Sequence, residues 1–349
     1  MPRVGSLDGL RGLAAIIVLL HHAAIQVGGF GLFGSGYLAV DFFFMLSGYV
    51  VARAYERRLA GELGVAGFLK LRLKRLYPVM AVGILAGAAV AMAGGAHGMA
   101  VAWHLTAQFL FVPIIAGSAG LFILNGVQWS LFFELFANIV HAAWLRRLSG
   151  RAMFAAVIVS LALLAWTASR FHWFGLGDRG NNFLGGFPRV MFSYCVGVAM
   201  VRLSPVLDRW RPKISGALLL VALPVVLMLA DLAKTSVPAW QVDLAVVALA
   251  LPVILHLGIG SKLEPGLERL STTLGSMSYP LYAIHLPALG LVILAANGFG
   301  VGAFAMACAL ALGCAHLLAR WLEPKPAAMG RDREAGLAIP GVMAGPLPR

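Results

Sequence analysis

Charge is scarce in this sequence. Only 12% of its 349 residues are Asp, Glu, Lys or Arg, and the acidic ones number 14 against 27 basic. Soluble domains carry about a quarter of their residues as charges, so a water-exposed surface of ordinary polarity is excluded, and with it a cytosolic enzyme. Cysteine is nearly absent. Cys195, Cys308 and Cys314 all lie within apolar runs, which suits small buried core residues and excludes a disulfide-stapled secreted domain; no metal framework is expected. No internal repeat, low-complexity tract or soluble domain interrupts the chain. What fills it is apolar: 60% hydrophobic residues, a mean hydropathy of +0.88, and long runs such as Leu13–Leu20, Ala217–Ala230 and Leu244–Leu255. The net charge of +13 forms no single face of the kind a nucleic-acid binder presents. The basic residues stand in short clusters between apolar runs, so the partner implied is a lipid bilayer and not nucleic acid. The fold class is therefore all-α, a polytopic transmembrane helical bundle.

About 20 apolar residues cross a hydrocarbon core of ~30 Å. Ten stretches meet that need: 12–29, 36–53, 77–96, 128–145, 152–169, 187–203, 214–231, 239–257, 276–296 and 299–321. With both termini in the cytoplasm, nearly every basic cluster falls on the cytoplasmic side. Only Arg170, Arg179 and Lys234 fall outside, while Arg11, Arg189 and Arg320 lie at span edges. This asymmetry orients the chain. An eleventh apolar stretch, Val101–Gly120, is broken by His104, Gln108, Pro113 and glycines. Making it a span would invert every later loop, so a re-entrant or surface-lying segment on the outer side is expected. The first apolar run carries His21 and His22 and lacks a clear small-residue cleavage site, so it is expected to be a retained helix and not a signal peptide. Residues 1–324 form the membrane-embedded domain, and the Ala-, Gly- and Pro-rich residues 325–349 are expected to be a disordered cytoplasmic tail.

An ionisable group at the bilayer centre costs roughly 2.5–3.5 kcal/mol on insertion scales, so each one needs a reason. On the first helix, Arg11 sits at the cytoplasmic edge and His22 eleven residues further on. At ~100° and 1.5 Å per residue, the two share a face and stand about 16 Å apart; His21 points elsewhere. Glu134 lies inside the fourth span, after Trp129 and Ser130. Asp41 lies near the outer end of the second, followed by Ser47. In the ninth, Ser278, Tyr282 and His285 share one face at i, i+4 and i+7. Polar side chains from four helices at similar depth imply a hydrated cavity. At its cytoplasmic mouth, Arg72 and Arg75 have the spacing to clamp a phosphate, which suits an anionic donor. Other signals have plainer readings: His97, His104 and His172 fall in outer loops, and Trp103, Trp129, Trp173 and Trp240 sit at the outer boundary as aromatic-belt anchors, with one or two available to stack against a sugar ring.

These residues, taken in order, resemble acyltransferase family three, integral-membrane O-acyltransferases that modify bacterial surface glycans and some small molecules. Leu7-Asp8-Gly9-Leu10-Arg11-Gly12-Leu13-Ala14, with His22 after ten intervening residues, is similar to the family's opening signature. So are Gly36–Tyr49, which contains Asp41 and Ser47; Arg72-x-x-Arg75 with Tyr77-Pro78; Trp129-Ser130-Leu131-x-x-Glu134; Gly275–Pro287, which contains Ser278, Tyr282 and His285; and Trp321-Leu322-Glu323-Pro324. The middle of the chain, 145–270, matches only loosely, through Arg189 and Gly197, and no stretch resembles the esterase-like domain fused to some members.

The resemblance implies an acyl-CoA-dependent O-acyltransferase of the cytoplasmic (inner) membrane, with no tightly bound cofactor. Acyl-CoA, acetyl-CoA by the family's frequency, would be the co-substrate, and a carbohydrate hydroxyl at the outer face the acceptor. Glycan-assembly proteins are the partners such an activity would have. His22 is implied as general base with Arg11 at the cavity mouth, Glu134 as the group that orients an imidazole or binds the acceptor, and Arg72, Arg75 and Tyr77 as the donor-binding set. Asp41, Ser47, Trp129, Ser130, Ser278, Tyr282 and His285 would line the cavity. The residues alone also allow a proton-coupled transporter with His22, Glu134, Asp41 and His285 as a relay, or a scaffold for glycan assembly. The absence of an internal repeat and the basic donor-side mouth weigh against transport.

Overall fold

The computed structural model describes residues 4–26, 33–212, 214–296 and 300–322. The proposed disordered tail, 325–349, and the last motif's Glu323-Pro324 lie outside the described residues. Eleven helices carry the architecture: α1 Gly5–Gln26, α2 Ala39–Ala60, α3 Val65–Ala93, α4 Met99–Phe109, α5 Gln128–Ala143, α6 Gly150–Phe171, α7 Gly186–Arg202, α8 Gly216–Ala233, α9 Ala239–Gly260, α10 Pro265–Ala295 and α11 Val301–Leu322. Among the described residues nine helices are long and apolar enough to cross a bilayer. Their outward faces remain apolar, as with Leu85, Phe154, Trp166, Leu229 and Leu249, all exposed. One end of the bundle carries Arg57, Arg58, Arg146 and Arg147; the far end carries the short helical turn Gly34–Leu38 and the turns after α6 and α8.

The fourth expected span is shorter than its sequence suggested. α5 has 16 residues, about 24 Å of rise, too little for a core of ~30 Å. Irregular chain between α4 and α5 supplies the rest, which corrects the reading of 128–145 as an ordinary crossing. α4, with 11 residues, packs on α3, where Tyr77 Oη donates to Phe109 O at 3.3 Å. The chain then returns to the far end, where Leu121 N donates to Asp178 O at 3.1 Å in the turn after α6. The stretch 101–120 thus leaves by the end it entered, as a re-entrant segment. Non-helical backbone at membrane depth is tolerated only where protein satisfies it, and three amides do so here. Asn125 N donates to Gln108 Oε1 at 3.1 Å, Gln128 Nε2 to Gln108 O at 2.6 Å, and Asn125 Nδ2 to Ala283 O on α10 at 2.9 Å. Pro287 has no N–H to give to that carbonyl four residues back, so the re-entrant segment takes a hydrogen-bond acceptor that α10 cannot use itself.

α3 begins twelve residues before the span expected at 77–96, so the basic stretch after Phe68 is helix and not loop. Its four-residue periodicity buries Phe68, Arg72 and Leu76 on one face and leaves Lys70, Lys74 and Arg75 exposed. α1 lies against α10 closely enough that a Cβ on Gly12 would stand 2.5 Å from Leu274 Cβ and 2.7 Å from its carbonyl carbon. Only glycine permits that approach, and it sets α1's polar stripe against α10. α2 and α7 enclose an ion pair: Arg189 Nε lies 3.1 Å from both Asp41 carboxylate oxygens and Nη2 2.7 Å from Oδ2.

Candidate active site

Between α1, α2, α3, α5 and α10 lies a cavity of about 120 Å³. Arg11, Ser47, Arg72, Arg75, Ser130, Glu134, Ser278 and Tyr282 all line it, with Phe43, Leu76 and Tyr279 among the apolar and aromatic walls. Polar side chains expected from four separate spans (Arg11, Ser47, Ser130, Glu134, Ser278 and Tyr282) therefore converge, joined by those of α3. Arg75 is exposed at the rim, whereas Arg72 is only 5% exposed. Arg72 Nη2 donates to Glu134 Oε1 at 2.5 Å, and Ser47 Oγ donates to the same oxygen at 2.7 Å. Glu134 is thus the anchor of an α2–α3–α5 junction, and it does not touch either histidine. That corrects its expected role as the group orienting an imidazole. It also separates Arg72 from Arg75: one is paired inside the cavity, the other stands at its edge.

Two guanidinium groups keep unused donors here. Arg11 gives Nη2 to Gly275 O on α10 and lies 3.6 Å from Asp8. Its Nε, like Arg72 Nε, is buried without a partner. Buried N–H groups are nearly always satisfied, so a cavity holding two such cationic donors suits an oxygen-rich anion. Ser130 gives its single proton to Val127 O at 3.0 Å, which leaves Tyr282 Oη as donor in their 2.6 Å contact. Ser278 is spent on Gly275 O at 2.7 Å.

About three turns along α1 from Arg11 and about one turn along α10 from Tyr282, two imidazoles meet. His285 Nε2 stands 3.2 Å from His22 Nδ1. The surrounding carbonyls assign the protons. His285 Nδ1 faces Tyr282 O at 2.9 Å and Leu281 O at 3.2 Å, and a carbonyl only accepts, so Nδ1 carries the hydrogen and Nε2 a lone pair. His22 Nδ1 faces Val18 O at 2.9 Å and that lone pair, so it too is a donor. His22 Nε2 is left as an acceptor with no hydrogen bond to any described residue. This arrangement follows the expected stripe, since Arg11 and His22 both reach α10. His22 is not among the cavity's lining residues, however. Tyr282 and Phe43, rings 5.7 Å apart, stand between, and the Tyr282 ring is 5.9 Å from His285.

Of the expected cavity residues, Asp41, Trp129 and His285 do not line it, and neither does Tyr77 of the expected donor-binding set. Asp41 is fully buried and neutralised by Arg189. Trp129 lies under the same guanidinium, 5.2 Å from its ring centre, opposite Phe174 at 5.4 Å. Tyr77, 37% exposed, ties α3 to the re-entrant α4 and does not border the cavity. A relay through His22, Glu134, Asp41 and His285 is not assembled, because only the two histidines touch. At the far end, sequence reasoning passed over a second polar group. Lys234 Nζ reaches Asp243 Oδ1 at 2.6 Å, Ser35 Oγ at 2.7 Å and Tyr37 Oη at 3.3 Å, and Tyr37 Oη donates to Asp243. The available signal was Asp243, a carboxylate inside an otherwise apolar run.

A family model described as an acyltransferase domain matches residues 4–320. A protein of Rhizobium radiobacter named "Protein 2 in picA locus" is 34% identical over 187 residues, which cover 47% of this chain and 94% of that protein. No solved structure matches.

Proposed function

The chain belongs to this acyltransferase family and is a multi-pass membrane protein, and from that premise we propose that it carries an acyl group, acetyl first, from cytoplasmic acyl-CoA to a hydroxyl of a carbohydrate-containing acceptor at the outer face of the inner membrane. The observation that carries this reading is the His22–His285 contact, which leaves His22 Nε2 as a proton acceptor beyond a cavity lined with arginines. Arg75 and Arg11 at the mouth meet the CoA phosphates, and the unpaired Arg72 and Arg11 Nε–H groups meet phosphate or carbonyl oxygen within. The acyl thioester lies beyond, toward Tyr282.

The acceptor hydroxyl gives its proton to His22 Nε2 as its oxygen bonds to the thioester carbonyl carbon. The carbon–sulfur bond then breaks, and the CoA sulfur takes the proton back from the imidazolium. His285 shares the His22 Nδ1 hydrogen with Val18 O and so steadies the imidazole in the required tautomer. The unpaired Nε–H groups of Arg72 and Arg11 are the donors for the carbonyl oxygen as negative charge builds on it.

The test is transfer by purified protein in proteoliposomes given radiolabelled acetyl-CoA and glycan-bearing lipid, beside His22→Ala inserted at equal level. General-base loss costs about 10²–10⁴-fold in rate. A variant as fast as the parent sinks the mechanism, and solute uptake without CoA sinks the function.

A further inference from the structure

The far end of the bundle carries an aromatic surface that the cavity does not use. Trp173, in the turn after α6, is 47% exposed. Its ring stacks on Tyr37 with centres 5.3 Å apart and planes 30° from parallel. Tyr37 in turn lies 5.6 Å from His21, and His21 5.2 Å from His22. An unbroken series of rings thus leads from an exposed indole to the proton acceptor, approaching it from the side opposite the arginine cavity.

The platform is held rigid. Lys234 Nζ sits 5.0 Å over the Tyr37 ring and binds Asp243 and Ser35, while Tyr37 Oη is fixed by Asp243. Beside it, Ser35 Oγ donates to Asp231 Oδ1 at 2.5 Å, and Asp231 Oδ2 is buried with no partner. Desolvating a lysine and two aspartates is costly for a structural purpose alone. Here it fixes the position and tilt of an aromatic face and leaves a hydroxyl acceptor next to it.

We propose that the Trp173–Tyr37 stack is the acceptor platform: a pyranose lays its C–H face on the Trp173 indole, one of its hydroxyls donates to Asp231, and the hydroxyl to be acylated enters toward His22 past His21. A broad, half-exposed aromatic face with polar groups at its edge matches the amphipathic faces of a sugar ring better than it matches an ion or an acyl chain. The inference rests on the acyl-transfer reading and names where its second substrate binds.

The full chain in proteoliposomes, with acetyl-CoA and octyl glycosides of glucose and N-acetylglucosamine as acceptors, gives two Michaelis constants. For Trp173→Ala the acceptor KM rises at least tenfold while the acetyl-CoA KM stays within twofold, and Trp173→Phe recovers most of the loss. An unchanged acceptor KM overturns the platform, as does an equal fall in kcat at unchanged KM for both substrates, which marks Trp173 as a structural prop. If the parent hydrolyses acetyl-CoA but acylates neither glycoside, the sugar assignment falls and the enzyme reading stands. If it does neither, the acyl-transfer reading itself has failed.

Discussion

His285 presents a lone pair on Nε2 to the Nδ1–H of His22 at 3.2 Å, and its own Nδ1 is committed to two α10 carbonyls. The two imidazoles therefore act as a unit. His285→Phe keeps an aromatic ring but removes one of two acceptors, so only Val18 O on its own helix still holds the His22 Nδ1–H and the ring loses its tie to α10. A fall in kcat of about 10–100-fold is expected, by analogy with the loss of partners that orient functional imidazoles, with acetyl-CoA KM little changed. The double variant with His22→Ala should be no slower than His22→Ala alone. Additive losses would show that His285 acts separately.

Arg72 and Glu134 make the opposite kind of prediction. Arg72→Lys keeps the charge but gives up the planar set of donors, one on Glu134 and one unpaired in the cavity. Acetyl-CoA KM should rise at least tenfold while kcat falls less. Glu134→Gln removes the anion that fixes Arg72 and Ser47, so it should raise the same KM. Measuring both constants at saturating acceptor decides the matter, and a change confined to acceptor KM would contradict the assignment.

Asp41 is tested by stability. Removing one partner of a buried ion pair typically costs about 3–5 kcal/mol, so Asp41→Ala should lower the thermal midpoint in detergent and the yield of inserted protein. Arg189→Met combined with Asp41→Ala should recover much of the loss, because no charge is then left unpaired. A single variant with parental stability but no activity would return Asp41 to the catalytic machinery.

Gly12→Leu should disable the protein without touching any reacting group. A Cβ there already meets Leu274 at 2.5 Å, and a larger side chain must part α1 from α10. The His22–His285 contact opens as a result. Crosslinking a cysteine pair placed across α1 and α10 should be efficient in the parent and weak in the variant.

Much of this arrangement was legible in the sequence. The apolar runs give the helices, and simple angular arithmetic puts Arg11 and His22 on one stripe and Ser278, Tyr282 and His285 on another. Partnership was not legible. Asp41 and Arg189 are 148 residues apart, and nothing local distinguishes a carboxylate with a dedicated arginine from one facing water. Glu134 looked available to a histidine because depth along a helix can be counted, whereas rotation against a neighbour depends on packing. Tyr77 adjoins a genuine cavity residue, Leu76, but one step of helix turns it through ~100° toward α4. The short α5 also escaped notice, since composition cannot tell sixteen helical residues from twenty when irregular chain completes the passage.

The hydrogen bond from Asn125 to Ala283 binds the re-entrant hairpin to the stretch of α10 just before His285. Any ligand that displaces the hairpin must strip that carbonyl of its donor, and Pro287 offers no replacement. The hairpin and the turn of α10 that carries His285 are thereby geared together, so a hairpin that swung out would leave the imidazole it supports out of line.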